Sequence, residues 1–273
     1  MHGSRGRSPL GSPPNEIDST ATPLTRRERR RLQAAPQEPQ FLQRDQEADA
    51  PDADTSDANE ADFSLATLFA RSHSALPDGR PTVLMVCTGN ICRSPFAETV
   101  LATRLADLEV IVRSAGTHAL VGHGMPAPAR HLAEQNGVPS ELHGGHRARL
   151  LTESVMADAD LVLTMTGEHA TLAVRLAPRR LHRTFTLREF ERLAGSLSDS
   201  QLREAVTTNA NPRSRLSAVI STVADQRGIA PRVVGHEDVV DPYRQSAAVY
   251  AQSADEMLPG LLQVERAVRA ALE

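Results

Sequence analysis

The chain contains no lysine and no tryptophan, and only 3% of its 273 residues are aromatic. All 30 basic residues are therefore arginines. Together with 34 acidic residues they give a formal net charge of −4, which offers no global basis for nucleic-acid binding. The 40% apolar content is sufficient for the core of one or two domains, and that core must consist mainly of Leu, Val and Ala.

No apolar run approaches the roughly 20 residues that a membrane-spanning helix needs, so we predict no membrane span. The N-terminal sequence "MHGSRGRSPLGSPPNE" lacks the apolar segment of a signal peptide, and we expect a cytoplasmic protein. Two cysteines are too few for a disulfide framework or a four-cysteine zinc site. The ten histidines show no HExxH or Cys/His ligand spacing, and we expect neither a metal nor another cofactor.

The first 79 residues differ in composition from the rest of the chain. They contain eight prolines among many Ser, Gln and Asp residues. Such a segment buries too little apolar surface to offset its ordering entropy, so residues 1–79 are predicted to be a largely disordered tail and residues 80–273 a folded domain. A basic block at 25–32 and an acidic block at 45–62 are typical of a solvated linker, with an anionic lipid surface or nucleic acid as the alternative partner of the basic block. The apolar spacing at 63–76 predicts a helix.

From residue 80 onward, strand-like and helix-like segments alternate. The predicted strands are 82–87, 109–116, 160–165 and 183–187, and the predicted helices are 94–106, 127–137, 168–177, 188–195, 199–229 with a break, and 245–272. For the first helix we expect Ser94 as the N-cap, Pro95 at the first helical position and Glu98 in the opening turns. The alternation predicts an α/β fold: a doubly wound three-layer sandwich around a four-stranded parallel sheet, with flavodoxin-like strand order.

Both cysteines lie in the segment "VLMVCTGNICRSPFAET" (83–99), where a buried strand runs into a loop and a helix. The loop consists of Cys87, Thr88, Gly89, Asn90, Ile91, Cys92 and Arg93, and Ser94 follows it. Gly89 and Asn90 suit a tight turn that aims successive N–H groups at one point, which makes a nest for a tetrahedral dianion. Arg93 adds a guanidinium that can bind two phosphate oxygens. The same positive field favours the thiolate of Cys87, which predicts a nucleophile that forms a cysteinyl-phosphate.

These residues resemble the phosphate-binding loop of the low-molecular-weight protein tyrosine phosphatases. The resemblance is carried by "VCTGNICRSPFAE" and continues through "SAGT" (114–117), "HRARLLTESVMADADLVLTMTGEH" (146–169) and "DVVDPYRQS" (238–246). It covers residues 80–273 and leaves the tail unexplained. Four ordered blocks make it specific.

The resemblance implies that the chain hydrolyses phosphotyrosine on proteins, with Cys87 as nucleophile and Arg93 binding the transition state. It implies hydrogen-bonding roles for Asn90, Ser94 and Ser114 in holding the loop and the thiolate. It places the general acid at Asp241, which Pro242 would hold rigidly. Tyr243 would form part of the wall for an aryl ring. The implied partners are phosphorylated proteins, such as a tyrosine kinase or its targets.

Cys92 has two interpretations. A thiol in the same loop as a reactive thiolate can trap a sulfenic acid as a disulfide, and the resembling family is thought to use a loop cysteine in this way. Cys92 can equally be a small apolar residue packed under the loop.

Three further functions remain open. An arsenate reductase would use the same thiolate, although its relay of downstream cysteines is absent after Cys92. A protein-arginine phosphatase carries threonine where this chain has Ile91, which favours an aryl ester here. A phosphate-sensing scaffold with a partner-binding tail is the non-enzymatic alternative.

The chain departs from compact family members in two places. Residues 195–237 form a longer segment, and "VGHGMPAP" (121–128) has no aromatic residue where compact members use one to line the pocket. Of the histidines, we expect "HGGHRAR" (143–149) to be a surface or loop segment, and we consider His118 and His123 for the rim of the site.

Overall fold

The computed structural model of the protein describes residues 79–206, 210–231 and 237–273. The predicted tail, its two charged blocks and the helix expected over 63–76 lie outside the described residues.

The centre of the fold is a parallel sheet of four strands in the order β2–β1–β3–β4. The strands are β1 (Thr82–Cys87), β2 (Ile111–Gly116), β3 (Leu161–Thr164) and β4 (Thr184–Thr186). All three pairings are parallel, and β1 and β3 are the interior strands. This order is the flavodoxin-like one, so the predicted fold class is confirmed.

Helices follow each strand and cover both faces of the sheet. They are α1 (Arg93–Arg104), α2 (Ala127–Gln135), α3 (Ser140–Gly145), α4 (Glu153–Asp158), α5 (Gly167–Leu176), α6 (Leu187–Gly195), α7 (Asp199–Glu204), α8 (Pro212–Asp225) and α9 (Ala247–Leu272), with 3₁₀ turns at Pro178–Arg183 and Gln226–Gly228. Within the described ranges, none of these helices is both long and apolar enough to cross a bilayer.

The apolar core is divided between the two faces because side chains alternate along each strand. One face buries Val83 and Met85 of β1 with Phe96 of α1. The other buries Leu84 and Val86 in a smaller cluster. All six residues of β1 are buried, as expected for a strand covered on both sides.

The first helix starts one residue earlier than predicted, and its start is built differently. Cys92 occupies the N-cap position, and no side chain caps the helix. The prediction of Ser94 as N-cap and Pro95 as first helical residue is therefore wrong, because the Ser94 hydroxyl bonds to the preceding loop instead. Glu98 lies in the opening turns as predicted, although beyond the first turn, which contains no acidic residue.

The long segment after α6 extends the core. Helix α8 buries Leu216, Val219, Ile220 and Val223. Its first turn is bound to the amino ends of the strands through Asp160, which is 3% exposed. Nε of Arg213 donates to the two carboxylate oxygens of Asp160 at 3.1 and 3.0 Å, and the same carboxylate accepts the backbone N–H of Thr82 at 2.9 Å. A buried carboxylate needs such partners, so this contact fixes α8 at the end of the sheet opposite the predicted site.

Candidate active site

The loop of residues 87–93 lies at the carboxyl end of β1, where parallel sheets bind ligands. Asn90 is fully buried within it and has φ of 54°, in the left-handed region. Asparagine tolerates this conformation better than most residues, which explains its presence at this turn. The turn redirects the chain from the strand into α1.

The Asn90 side chain and carbonyl are held from four directions. Its Nδ2 donates to Ser94 Oγ at 3.0 Å and to Ser114 Oγ at 2.7 Å. Its Oδ1 accepts the backbone N–H of Arg149 at 2.8 Å, and its carbonyl oxygen accepts from His146 Nε2 at 2.7 Å. A buried amide with every polar group bonded fixes one loop conformation. The support expected from Asn90, Ser94 and Ser114 corresponds to these contacts.

A second segment lies against the back of the loop. Thr117 and His118 donate backbone N–H groups to the carbonyls of Cys87 and Thr88 at 2.9 and 3.0 Å. The preceding Gly116 approaches so closely that a Cβ atom there would lie 2.4 Å from the carbonyl oxygen of Thr88. Only glycine permits this approach.

The carbonyls of Cys87 and Thr88 are used in these bonds, whereas the amides at the centre of the loop are not. Among the described residues, no acceptor is bonded to the backbone N–H of Gly89, Asn90 or Ile91. The residue Cys87 is 2% exposed, and its Sγ lies 2.9 Å from Ser94 Oγ. A hydroxyl donating to this sulfur stabilises a thiolate, and amide donors at a helix start suit an oxyanion.

Arg93 and Asp241 meet beside the loop although 148 positions separate them in sequence. Arg93 is 4% exposed, and its Nη2 lies 2.7 Å from Asp241 Oδ2. Its Nη1 donates to the carbonyl of Val239 at 3.2 Å, and its Nη2 also donates to Thr88 Oγ1 at 3.5 Å. The Asp241 side chain is half exposed, and its other oxygen accepts the backbone N–H of Tyr243 at 3.1 Å. The guanidinium is thus held in one orientation and the carboxylate remains accessible.

These groups line one cleft of about 170 Å³. Its floor contains Cys87 and Arg93, Asp241 lies at its side, and Ile91, Leu120 and Tyr243 form apolar wall. His118 also lines it, as considered from the sequence, whereas His123 does not and instead contacts the Leu120 carbonyl. A cleft of this size fits a phosphate with one ring or a short chain.

His169 was missed from the sequence. It is 5% exposed in the first turn of α5, its Nε2 lies 2.8 Å from Thr88 Oγ1, and its Nδ1 lies 2.9 Å from Thr166 Oγ1. Burial and the nearby Arg93 charge lower the pKa of His169 to about 4, so the ring is neutral at neutral pH. It supports the first turn of the loop as a hydrogen-bonding group.

Glu98 and His146 were also missed as parts of the site. Ser114 Oγ donates to Glu98, and His146 Nδ1 lies 3.7 Å from a Glu98 oxygen. Burial raises the pKa of Glu98. The expectation that residues 143–149 form a surface or loop segment is partly wrong, since His143 lies in a helix and is 4% exposed, and His146 contacts Asn90.

Cys92 lines the same cleft but has a different partner from Cys87. Its Sγ lies 3.5 Å from the Tyr250 hydroxyl, and burial raises the pKa of Cys92 to about 11. Both cysteines are free thiols. A Cys87–Cys92 disulfide stays a prediction.

The arrangement combines a sulfur nucleophile, a fork of two guanidinium nitrogens and an accessible carboxyl group around one phosphate-sized space. Such a set can bind a phosphomonoester, attack its phosphorus and protonate its leaving group. Within the described residues, no group of three His, Cys, Asp or Glu side chains is arranged to hold a metal ion.

Comparison with known proteins extends these observations. Residues 82–205 match the family described as "Low molecular weight phosphotyrosine protein phosphatase". The Etp phosphatase of Escherichia coli K12, named a low molecular weight protein-tyrosine-phosphatase, is 43% identical over 97 residues, which are 36% of this chain and 62% of Etp. The chain therefore spans less than two thirds of that relative.

Two other relatives are matched over more of their length. The "Probable low molecular weight protein-tyrosine-phosphatase EpsP" of Ralstonia solanacearum is 40% identical over 111 residues, 40% of this chain and 72% of EpsP. The protein-arginine-phosphatase of Bacillus subtilis is 29% identical over 190 residues, 68% of this chain and 96% of that protein. Among solved structures, a cysteine-to-serine mutant of the YwlE arginine phosphatase, with its active-site serine phosphorylated, is 26% identical. The match covers 69% of this chain and 95% of that chain, with a TM-score of 0.48.

The matched region begins at the first residue of β1 and includes the 87–93 loop, α1 and the strands that support it. Sequence profile and relatives agree with the loop geometry, and this chain belongs to the low-molecular-weight protein-tyrosine-phosphatase family.

Proposed function

We propose that the chain is a protein phosphatase that hydrolyses phosphotyrosine through a cysteinyl-phosphate intermediate. The observation that carries this proposal is the meeting of Cys87, Arg93 and Asp241 in one cleft. The two catalytic residues of the loop are buried and rigidly held, and the carboxyl group at the rim is accessible.

In the first step, the Cys87 thiolate attacks phosphorus and forms the S–P bond while the P–O bond to the tyrosyl oxygen breaks. Asp241, in its protonated form, gives its proton to that oxygen, so that a neutral phenol leaves. The amides of the 87–93 loop and the Arg93 guanidinium bind the three non-bridging oxygens, which carry the charge of the transition state.

In the second step, water attacks phosphorus and the S–P bond breaks. The Asp241 carboxylate takes a proton from the water, which leaves inorganic phosphate and the Cys87 thiolate. The Ser94 hydroxyl, 2.9 Å from Cys87 Sγ, stabilises the departing thiolate by donating to it. The cycle is therefore balanced without a cofactor.

The cleft wall favours an aryl ester. Ile91, Leu120 and Tyr243 supply apolar surface for a flat ring. A phosphoguanidine would place a polar, cationic group against this surface. The long match to a protein-arginine-phosphatase is the observation that favours phosphoarginine as second candidate.

Turnover of the full chain on three substrates tests the substrate class. We expect a phosphotyrosine peptide to be hydrolysed with a kcat/KM at least about tenfold above that of a phosphoarginine peptide of the same sequence, a preference that corresponds to one or two apolar contacts. Arsenate reduction, measured with an external thiol, is expected to be negligible. A higher kcat/KM for phosphoarginine would transfer the assignment to the second candidate.

The role of Asp241 is tested with leaving groups of different basicity. We expect Asp241→Asn to lower kcat for phenyl phosphate by about 10²- to 10⁴-fold, because the amide cannot deliver a proton. The loss should be smaller for p-nitrophenyl phosphate, whose phenolate leaves with less assistance. Steady-state kinetics on both substrates measure the difference.

Asp238 provides the matched control for this variant. Its carboxylate is exposed three positions away and accepts the backbone N–H of Gly167 at 2.8 Å, outside the cleft. Asp238→Asn keeps an oxygen acceptor, so kcat for both substrates should stay near that of the unmodified chain. Equal losses in the two variants, or equal losses in kcat/KM on both leaving groups, would remove Asp241 from the acid role, because kcat/KM reports only the steps up to departure of the leaving group.

We propose residues 80–273 as the catalytic domain, a cytoplasmic location, and phosphorylated tyrosine kinases or their targets as the protein substrates. The family membership supports phosphoprotein substrates.

A further inference from the structure

A second and larger cavity lies behind the 87–93 loop. It has a volume of about 540 Å³ and lies between α1, strand β2 and the segment that follows α3. Its lining shares no residue with the cleft that contains Cys87. A volume of this size is ordinary for a small-molecule site.

The cavity is dominated by positive charge. Arg113, Arg147 and Arg149 line it, together with the single carboxylate of Glu98. Within the described part of the chain, the Arg113 guanidinium makes no hydrogen bond or ion pair, and Arg149 uses only its Nε, which donates to the Ser114 carbonyl at 2.7 Å. Desolvation lowers the pKa of Arg149, and the neighbouring Arg113 charge contributes to the same shift. A bound anion would relieve the repulsion between these two side chains.

Apolar side chains form another part of the lining. Ile111 and Val112 of strand β2 contribute, with Ala102 of α1 and Leu142 of α3. Leu142 is 44% exposed, which leaves apolar surface at the mouth of the cavity. The combination of guanidinium groups and apolar wall fits an organic molecule that carries more than one carboxylate or phosphate group.

Several residues that line this cavity also hydrogen-bond to Asn90 of the 87–93 loop. Ser114, His146 and Arg149 each line the cavity, and each makes one of the hydrogen bonds that fix the Asn90 side chain or carbonyl. Glu98 supports two of them through its contacts with Ser114 and His146. A ligand here touches no group in the cleft, yet it acts on the contacts that set the conformation of the 87–93 loop.

We propose that this cavity is a regulatory site for a small organic polyanion. The anion pairs with Arg113 and Arg149, draws the Arg149 guanidinium away from the Ser114 carbonyl, and lies close to the Glu98 carboxylate. A second negative charge there weakens the contacts of Glu98 with Ser114 and His146, so that Asn90 is held less firmly. The consequence is a lower kcat, with little change in KM because the cleft is not occupied.

The probe for this proposal is citrate, which is not a phosphate ester, at constant ionic strength set with sodium chloride. Binding to the full chain is measured by titration calorimetry, a readout that does not depend on the proposed phosphatase activity. Kinetics are then measured with p-nitrophenyl phosphate. We expect saturable binding of one citrate per chain and a fall in kcat of about fivefold at saturation, within the usual range of coupling between sites.

The test variant is Arg113→Ala, since this side chain makes no hydrogen bond or ion pair with the residues that the structure describes. The matched control is Arg130→Ala on the exposed surface of α2, outside the cavity. Arg113→Ala should lose both citrate binding and the citrate-dependent fall in kcat, measured relative to its own kcat without citrate, while Arg130→Ala retains both. The proposal would be overturned if citrate raised only KM. It would also be overturned if calorimetry showed no heat of binding, or the same heat of binding for the two variants. If the chain had no phosphatase activity but bound citrate in a way that depends on Arg113, the phosphatase assignment would be overturned, whereas the polyanion-binding cavity would be supported.

Discussion

Replacing Cys87 by serine is expected to abolish hydrolysis of aryl phosphates, with kcat reduced by about 10⁴-fold or more. The substitution removes one polarisable atom from the floor of the cleft and leaves its volume and the Ser94 contact nearly unchanged. A serine hydroxyl is far less acidic than a thiol, so it stays protonated at neutral pH and is a much weaker nucleophile than the Cys87 thiolate. Steady-state turnover and acid-trapped phosphoenzyme measure the loss.

Cys92, the second cysteine of the loop, provides the control. Cys92→Ser changes a residue in the same loop whose sulfur contacts Tyr250 rather than Ser94. The elevated pKa of Cys92 keeps it a thiol at neutral pH, so its removal should cost far less turnover than that of Cys87. Phosphate binding should persist in Cys87→Ser, because the loop amides and Arg93 remain. Turnover by Cys87→Ser comparable to that of Cys92→Ser would contradict the covalent mechanism.

The second large effect is expected for Arg93→Lys, with kcat lowered by about 10³-fold. Arg93 is buried, and its two terminal nitrogens contact Val239, Asp241 and Thr88. An ammonium keeps the charge but offers one nitrogen, so it cannot bind two phosphoryl oxygens in a fixed plane. The loss should fall on kcat more than on the affinity for inorganic phosphate, which measures ground-state binding.

Arg188→Lys is the control for this substitution. Arg188 donates to the carbonyl of Asp238 at 3.4 Å and does not line the cleft. Its replacement should leave kcat within about twofold, as is usual for surface substitutions. If the two lysine variants had the same kcat, the guanidinium fork would have no special part in the reaction.

The features that the sequence predicted well are the ones that depend only on consecutive residues. Strand β1 is a continuous apolar run, and the loop motif from Cys87 to Arg93 is contiguous, so both could be identified without a partner. Helices α3 and α4 were missed because six residues are too short for a 3.6-residue periodicity to show. The N-cap assignment of Ser94 failed because its hydroxyl has closer partners in the loop than the helix amides.

The supporting residues of the loop could not be predicted in the same way. His169 lies 81 positions from Thr88, and His146 lies 56 positions from Asn90. Each comes from a segment that follows a different strand. Both lie at the ends of the block 146–169 that carries the family resemblance, but that block by itself assigned neither histidine a role. Only their bonded partners mark them as parts of the site.

By itself, the amino-acid sequence determined the alternation of strands and helices and the position of the 87–93 loop, and it predicted Cys87 as the nucleophile, because local periodicity and a contiguous motif carry that information. The tertiary structure alone decided which distant groups hold the loop, that Arg93 pairs with Asp241, and that a cavity rich in arginine lies behind Asn90. The physical reason is that parallel strands bring their carboxyl ends to one edge, so loops far apart in sequence converge there, and the partners that satisfy a buried polar group are fixed only when the chain has packed.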